Sequence, residues 1–450
     1  MLLSTLWQPA RRAALRCLNS PPARCRCGLR AMADLVPEAV PTGEQLNAPG
    51  AKRRRRPSHK EGVLPTMGDA SQLHITCRPD SYVEELETKV VAVKASFSAA
   101  GVLLPDQVDV YPSASTHFRL KATFGVEPRS WRGTRSYLAM YPNKNRPVEV
   151  AQFPMGSERI NQLMAALMEH VMGNPDVLRD GLFEVKFHTT LSGDALATLA
   201  YHRHLDDTWK LAAESLRVAL GLVGLVGRSK GQREVVGQAH VTECLSVCDR
   251  KLTYKQLEDS FSQSNGGIAQ CMLSWAVRAA CELDAASGYP TQPRDDDLLE
   301  LYCGSGAFTV ALAPCFRNVL ATEVSKPATE CAKHNLEANA CSNVSLGRVS
   351  AEELQEALES RREFTRLQHV DVGALKLNTV LVDPPRAGCG PAVSAFLTRF
   401  DRIIYISCNP ETMVQDVQLM LPTHKVVRFA CFDQFAYTPH VESGALLVRK

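Results

Sequence analysis

Ser407-Cys408-Asn409-Pro410 follows the apolar run Ile403-Ile404-Tyr405-Ile406, which places one thiol at the carboxyl end of a predicted strand. In an open α/β sheet, ligands bind in the crevice beyond the carboxyl ends of the strands, so a nucleophile there faces substrate. Two other loops supply partners. Asp383-Pro384-Pro385-Arg386 follows the strand-like Thr379-Val380-Leu381-Val382, and its two prolines fix a stiff turn that holds an acid and a guanidinium. His440-Val441-Glu442 brings a carboxylate near the end of the chain. A thiol and a possible base in one cleft is an arrangement for nucleophilic catalysis. Singly these residues say little, since a lone cysteine is more often a small buried hydrophobe and a lone glutamate a solvated acid. Their order and combination carry the inference.

A glycine loop lies upstream. Leu298-Leu299-Glu300-Leu301-Tyr302 reads as a buried strand, Cys303-Gly304-Ser305-Gly306 as a tight turn, and Ala307–Ala313 as the start of a helix. Gly304 and Gly306 let a ligand approach the backbone. Glu323 sits at the tip of the next short strand, Val319–Thr322, where a carboxylate can accept hydrogen bonds from the hydroxyls of a ribose. The loop lacks the full G-x-G-x-x-G pattern and has no G-K-[ST], which disfavours a nicotinamide cofactor or a nucleoside triphosphate. An adenosyl ligand without a pyrophosphate fits better.

These residues resemble the tRNA (uracil-5-)-methyltransferase family, from about Ser81 to the C-terminus. The likeness rests on Leu299–Gly304, Leu320–Glu323, Glu363–Gln368, Val382–Arg386, Tyr405–Thr412 and Phe432–Phe435, and in the first half on Leu182–Val185, Thr189–Ser192 and Leu205–Trp209. The resemblance implies methyl transfer from S-adenosyl-L-methionine to carbon 5 of a uridine in the tRNA T-loop, at position 54. It implies that Cys408 adds to carbon 6 of the uracil, and that Glu442 removes the carbon 5 proton before the thiolate leaves. It further implies cofactor contacts from Gln263, Tyr302, Gly304, Glu323 and Asp383. Arg386 is the candidate source of a positive field, and the thiol of Cys408 is expected to have a lowered pKa beside it. One departure stands out: the family loop usually reads Gly-Asn-Gly-Asn-Phe, whereas Ala307 here offers no side-chain amide. Two alternatives stay open: a uracil-5 methyltransferase acting on rRNA or on both RNAs, and a tRNA-folding chaperone whose methylation is incidental; RNA cytosine-5 methyltransferases also use a cysteine after a strand. Glu442 and the Ser-Cys-Asn-Pro context fit the uracil chemistry better than the cytosine one.

Charge is unevenly placed. Residues 1–60 hold 12 Lys and Arg against 3 Asp and Glu, a balance of +9, which leaves 39 against 45, or −6, for the other 390 of the 450 residues. RNA binding by the body of the chain must therefore use local patches and shape. Arg119, Lys121, Arg129, Arg132, Arg135, Lys144 and Arg146 are the candidates. The first 33 residues contain six arginines and no acid, as in an organellar transit peptide, so a mitochondrion or plastid is the expected location. Lys52 with Arg53–Arg56 is a nuclear address or RNA arm on the alternative reading, which keeps nucleus or cytoplasm open. No run of 18 apolar residues exists, so no membrane span is expected. The 15 cysteines show no metal-ligand spacing, and none occurs between Cys77 and Cys244, where related rRNA enzymes carry an iron–sulfur motif. No metal, no cluster and a monomer are the expectations.

Alternation and period then place these residues on elements. The fold expected is α/β: a disordered extension over 1–80 with the transit peptide, an α+β RNA-binding domain over 81–250, and a class I Rossmann-like methyltransferase domain over 251–450. Tyr82–Phe97 reads as an amphipathic helix with Val83, Leu86, Val90, Val93 and Phe97 on one side. Phe183–Phe187 and Ala195–Tyr201 read as strands, Pro327–Asn339 as a helix, and Lys425–Phe429 with Ala445–Val448 as a closing antiparallel pair.

Overall fold

A computed structural model describes residues 77–128, 136–140, 147–284, 287–359 and 362–450. The segment read as a transit peptide, Lys52–Arg56 and the candidate contacts Arg129, Arg132, Arg135, Lys144 and Arg146 lie outside the described residues.

Two sheets organise the chain. The first has seven strands, β2 (Lys121–Pro128), β3 (Ser136–Met140), β4 (Val148–Glu149), β5 (Leu182–Thr189), β6 (Ala195–Tyr201), β7 (Gly224–Ser229) and β8 (Gln232–Gly237), in the order β4-β3-β2-β5-β6-β7-β8. All its neighbours are antiparallel except β6 and β7. Helices Glu158–Gly173 and Asp207–Ala219 supply its core with Ile160, Leu163, Leu167, Trp209 and Leu216. Their starts are set locally, because Ser157 and Asp206 accept hydrogen bonds from the N–H groups of Ile160 and Trp209.

The second sheet has eight strands in the order β1-β16-β17-β15-β14-β11-β12-β13. It comprises β1 (Asp109–Tyr111), β11 (Asp297–Leu301), β12 (Val319–Thr322), β13 (Val344–Gly347), β14 (Leu377–Val382), β15 (Arg402–Ser407), β16 (His424–Phe432) and β17 (Glu442–Arg449). β11 to β15 run parallel and are buried along most of their length, which explains their unbroken apolar runs. β17 enters antiparallel between β15 and β16, closing the sheet as expected, although its link to β16 is the long segment 433–441 and not a tight turn. Between the two sheets, β9 (His240–Val247) and β10 (Arg250–Leu257) form an antiparallel ribbon. The side chains of Asn335, in helix Lys326–Ala338, and of Asn339, which caps that helix at its C-terminus, pin that ribbon by bonding the backbone of Lys255 and Thr253.

The sheets do not follow the expected division at 250. Helix Tyr82–Ala99 and β1 belong to the second sheet: Phe97 meets Phe429 edge-on at 4.8 Å, and β1 pairs with the end of β16. The boundary at 250 falls in the turn of the β9–β10 ribbon. The helix stripe also differs by one residue. Val83 is 49% exposed and Tyr82 is buried in its place, its hydroxyl bonding Asp433 at 2.8 Å. A phenol that can reach a polar partner displaces valine from the core-facing row.

Gly444, two residues beyond Glu442, shows how tightly this region packs. A Cβ built there meets the Trp275 ring at 2.8–3.1 Å. Gly444→Ala is therefore expected to cost about 1–3 kcal/mol by overpacking, read as a lowered Tm in thermal unfolding; an unchanged Tm would show that Trp275 can move aside.

Candidate active site

Register alone lines up the chemistry. Leu301 pairs with Thr322 and Val382, Val382 with Tyr405, and Ser407 with Ser443. The residues just beyond these pairs are Glu323, Tyr302, Asp383, Cys408 and, on the antiparallel strand, Glu442. They stand on adjacent strands in the order β12-β11-β14-β15-β17 along one sheet edge. At about 4.8 Å per strand, the row from Glu323 to Glu442 spans roughly 19 Å. Cys408 and Glu442 are neighbours at one end of it.

Backbone contacts fix the cysteine on both sides. Ser407 Oγ accepts from the Asn409 N–H and donates to the Asn409 carbonyl, each at 3.0 Å. Asn409 Oδ1 accepts from the Glu411 N–H at 3.2 Å, and Pro410 opens helix Pro410–Met420. Asn409 Nδ2 and Thr412 Oγ1 both donate to the Arg386 carbonyl, at 3.1 and 3.2 Å, which ties the Asp-Pro-Pro-Arg turn to the cysteine loop. The Arg386 guanidinium donates to His440 Nδ1 at 3.3 Å. Burial lowers the pKa of His440, and Arg386 adds to the effect, so the ring is a neutral acceptor. Lys89 supports this loop from below, donating to Asp433 at 2.6 Å and to the Phe435 and His440 carbonyls at 2.9 and 3.3 Å.

The electrostatics reverse one expectation. The Cys408 thiol is pushed up to about 12, not down, chiefly by burial and then by the Glu442 and Asp383 carboxyls, while Arg386 pulls the other way. One guanidinium does not outweigh lost hydration plus two acids. Burial also raises Glu442 to about 8, with Asp383 adding and Arg386 opposing, and raises Asp383 to about 7. A folded-state pKa above the unfolded one means that stability is full below the unfolded carboxylate range and is lost as pH rises through the folded value. Glu442→Gln, which removes that ionisation, should raise Tm relative to wild type at pH 8 and leave the two nearly equal at pH 4. Equal gains at both pH values would show that Glu442 is not held protonated.

At the other end, the glycine loop is open to a ligand. Tyr302, Gly304 and Gly306 have φ of +61°, +56° and +79°, and a Cβ built on Gly304 meets nothing within 4 Å. A tyrosine in the left-handed region is strained, as residues at ligand sites often are. The residue is half-buried and packs against the core. Glu323 accepts from the Gly304 and Ser325 N–H groups at 3.1 and 2.7 Å, one per oxygen, and an ionised carboxylate keeps further lone pairs for hydroxyl donors. Gln263 comes from outside the sheet. Its amide lies 2.7 Å from that of the buried Gln434, just past the β16 residue that pairs with Glu442, so Gln263 joins the row at its Cys408–Glu442 end. These donors and the open loop fit an adenosyl group at Glu323 and a methionine end at Gln263. Ala307 contributes only its carbonyl, which accepts from Tyr254 Oη at 3.0 Å.

Three contributors escaped the sequence reading. Lys89 and His440 gave no signal in local pattern. Glu300 did, being an acid inside an apolar strand; it is fully buried below the glycine loop, raised to about 8 by burial, and its Oε2 has no partner among the described residues. The described residues contain no group of three or more His, Cys, Asp or Glu able to hold a metal, and no helix long and apolar enough to cross a membrane.

The tRNA (Uracil-5-)-methyltransferase family matches residues 81–450. The tRNA/tmRNA (uracil-C(5))-methyltransferase of Pseudomonas putida (strain W619) is 46% identical over 375 residues, covering 83% of this chain and 98% of its own. Its namesake in Pseudomonas aeruginosa (strain LESB58) is 46% identical over 380 residues, with the same coverage. Among solved structures, the Pyrococcus abyssi tRNA (uracil-54, C5)-methyltransferase in complex with S-adenosyl-L-homocysteine superimposes with a TM-score of 0.62 at 21% identity, over 82% of this chain and 83% of that one, a likeness of fold. With a match over most of its length and near-complete coverage of its relatives, the chain belongs to the tRNA (uracil-5-)-methyltransferase family.

Proposed function

We propose that this protein methylates carbon 5 of the uridine at position 54 in the T-loop of tRNA, with Cys408 as nucleophile and Glu442 as base. The observation that carries the reading is the placement of Cys408 and Glu442 side by side, at the ends of β15 and β17 where Ser407 pairs with Ser443. S-adenosyl-L-methionine supplies an electrophilic methyl group and a sulfonium charge when bound, and Gln263, Tyr302, Gly304, Glu323 and Asp383 are the residues to hold it.

Carbon 5 of uracil is a weak nucleophile. Addition of the Cys408 sulfur to carbon 6 turns carbon 5 into the end of an enolate, which can take a methyl group. Carbon 5 then carries both methyl and hydrogen. Glu442, as carboxylate, removes that proton; the electron pair re-forms the 5,6 double bond and expels the Cys408 thiolate. The raised thiol pKa means that Cys408 rests as a thiol and must lose its proton as the cleft fills. Asp383, with a pKa of about 7, is the neighbouring carboxyl most often ionised at neutral pH and is suited to receive it. Arg386, held by His440, stands near Cys408 and steadies the thiolate that results. A base must leave its stack to meet these side chains, which fits a site in a cleft at the sheet edge.

The test is transfer of labelled methyl to unmodified tRNA, to the same tRNA with the position 54 uridine replaced, and to rRNA fragments. Label on the first alone is expected. Label on the rRNA fragments, or retained after replacement, would move the assignment to another RNA or another uridine.

A further inference from the structure

The amino ends of β11 and β12, across the sheet from the active site, hold two thiols that methyl transfer does not use. Cys281 ends helix Gly266–Cys281, and Cys315 ends the short turn Ala313–Cys315 that leads toward β12. Arg294 ties the two together: its backbone N–H donates to the Cys315 carbonyl at 2.9 Å, and its Nη1 donates to the Ala280 carbonyl at 3.3 Å. Both thiols are free, and each is the other's hydrogen-bond partner. Their exposure differs. Cys315 is fully buried in the apolar core beneath the helix, whereas Cys281 is half-buried at its rim.

The last carbonyls of a helix repel a thiolate placed beside them. Two guanidiniums cover those carbonyls here, Arg402 Nη2 on Ala279 at 3.0 Å and Arg294 Nη1 on Ala280. Asp296 and Glu282 pair with these cations, yet Arg402 keeps a buried Nε–H that has no partner among the described residues. The bond from the Cys315 thiol lowers the Cys281 pKa, and Arg294 and Arg402 add to the effect against burial and Asp296. The same bond, and then burial, raises Cys315. The accessible sulfur is thus the nucleophile, and the buried one holds the proton. A third thiol, Cys248, stands near both, but its backbone N–H and its sulfur are engaged with Ser274, and burial raises it.

We propose that Cys281 and Cys315 form a thiol–disulfide exchange site, which accepts low-molecular-weight disulfides and closes to an intramolecular disulfide. The Cys281 thiolate attacks one sulfur of the small disulfide; that S–S bond breaks, and the first small thiolate leaves and takes up a proton. The Cys315 sulfur, giving up its proton, then attacks the Cys281 sulfur of the mixed disulfide and releases the second small thiol. Two protein thiols are oxidised, and one small disulfide is reduced to two thiols. The new bond would staple the far ends of helices Gly266–Cys281 and Ala307–Leu312, whose near ends follow Gln263 and Gly306. It leaves Cys408 and Glu442 untouched, and the inference stands apart from the RNA chemistry.

The test is to incubate the folded, full-length protein with oxidised glutathione, block the remaining thiols, digest without reductant and map the linkages by mass spectrometry. The peptides of Cys281 and Cys315 should be joined to each other, and dithiothreitol should part them. Cys315→Ala should stop at glutathione held on Cys281, and Cys281→Ser should leave Cys315 unmodified. Reduced Cys281→Ser should methylate tRNA at the wild-type rate. If Cys315→Ala does not fold, the wild-type map still decides. A link from Cys281 to Cys248, glutathione held on wild-type Cys281 with no protein disulfide, or no modification of either thiol overturns the proposal and leaves the function standing.

Discussion

Cys408→Ala should abolish methyl transfer to tRNA, by on the order of 10⁴-fold or more, as for removal of the nucleophile from other covalent catalysts. The size follows from the chemistry: without addition at carbon 6, carbon 5 has no electron density with which to attack. The fold should survive the change. Cys408 is half-buried, its neighbours are held by Ser407 and Asn409 through backbone bonds, and alanine removes one atom without leaving a charge unpaired. Circular dichroism and Tm should match wild type while single-turnover transfer falls to background. Residual transfer within about tenfold of wild type would show that another group attacks the base.

Glu442→Gln should instead stall the reaction after methylation. Glutamine fits the site because wild-type Glu442, nearly fully buried and raised to about 8, already spends much of its time neutral at pH 7.5. An amide cannot accept the carbon 5 proton, so the thiolate cannot leave. The expected result is one methyl group per enzyme, no turnover, and a protein–RNA species that survives denaturing electrophoresis. Free methylated tRNA formed at more than a few per cent of the wild-type rate would assign proton removal elsewhere, with Asp383 the first candidate.

The site was legible in the sequence to the extent that parallel strands announce themselves. β11, β14 and β15 are buried on both faces, so each is an apolar run that stops at a turn, and the residue after the run lies at the carboxyl edge. That rule alone places Asp383 and Cys408, whereas Tyr302 reads as the last residue of its strand and comes forward only through the resemblance. The rule does not place Glu442, which reaches Cys408 because β17 slots antiparallel between β15 and β16, and strand order is not written in any local pattern. Helix Tyr82–Ala99 was visible from its period, but its attachment to the second sheet depends on Phe429, more than 300 residues away. The thiol pKa was misjudged for a similar reason. Arg386 is close in the cysteine's surroundings, yet depth of burial and the convergence of two carboxyls are properties of the assembled cleft.

Mapping the Glu442→Gln adduct tests the covalent mechanism most directly. After protease and nuclease digestion, mass spectrometry should find the peptide carrying Cys408 joined to a methylated uridine fragment from position 54 of the T-loop. Attachment through Cys303 or Cys389, attachment to a different nucleotide, or methylated tRNA released with no adduct at all would contradict it.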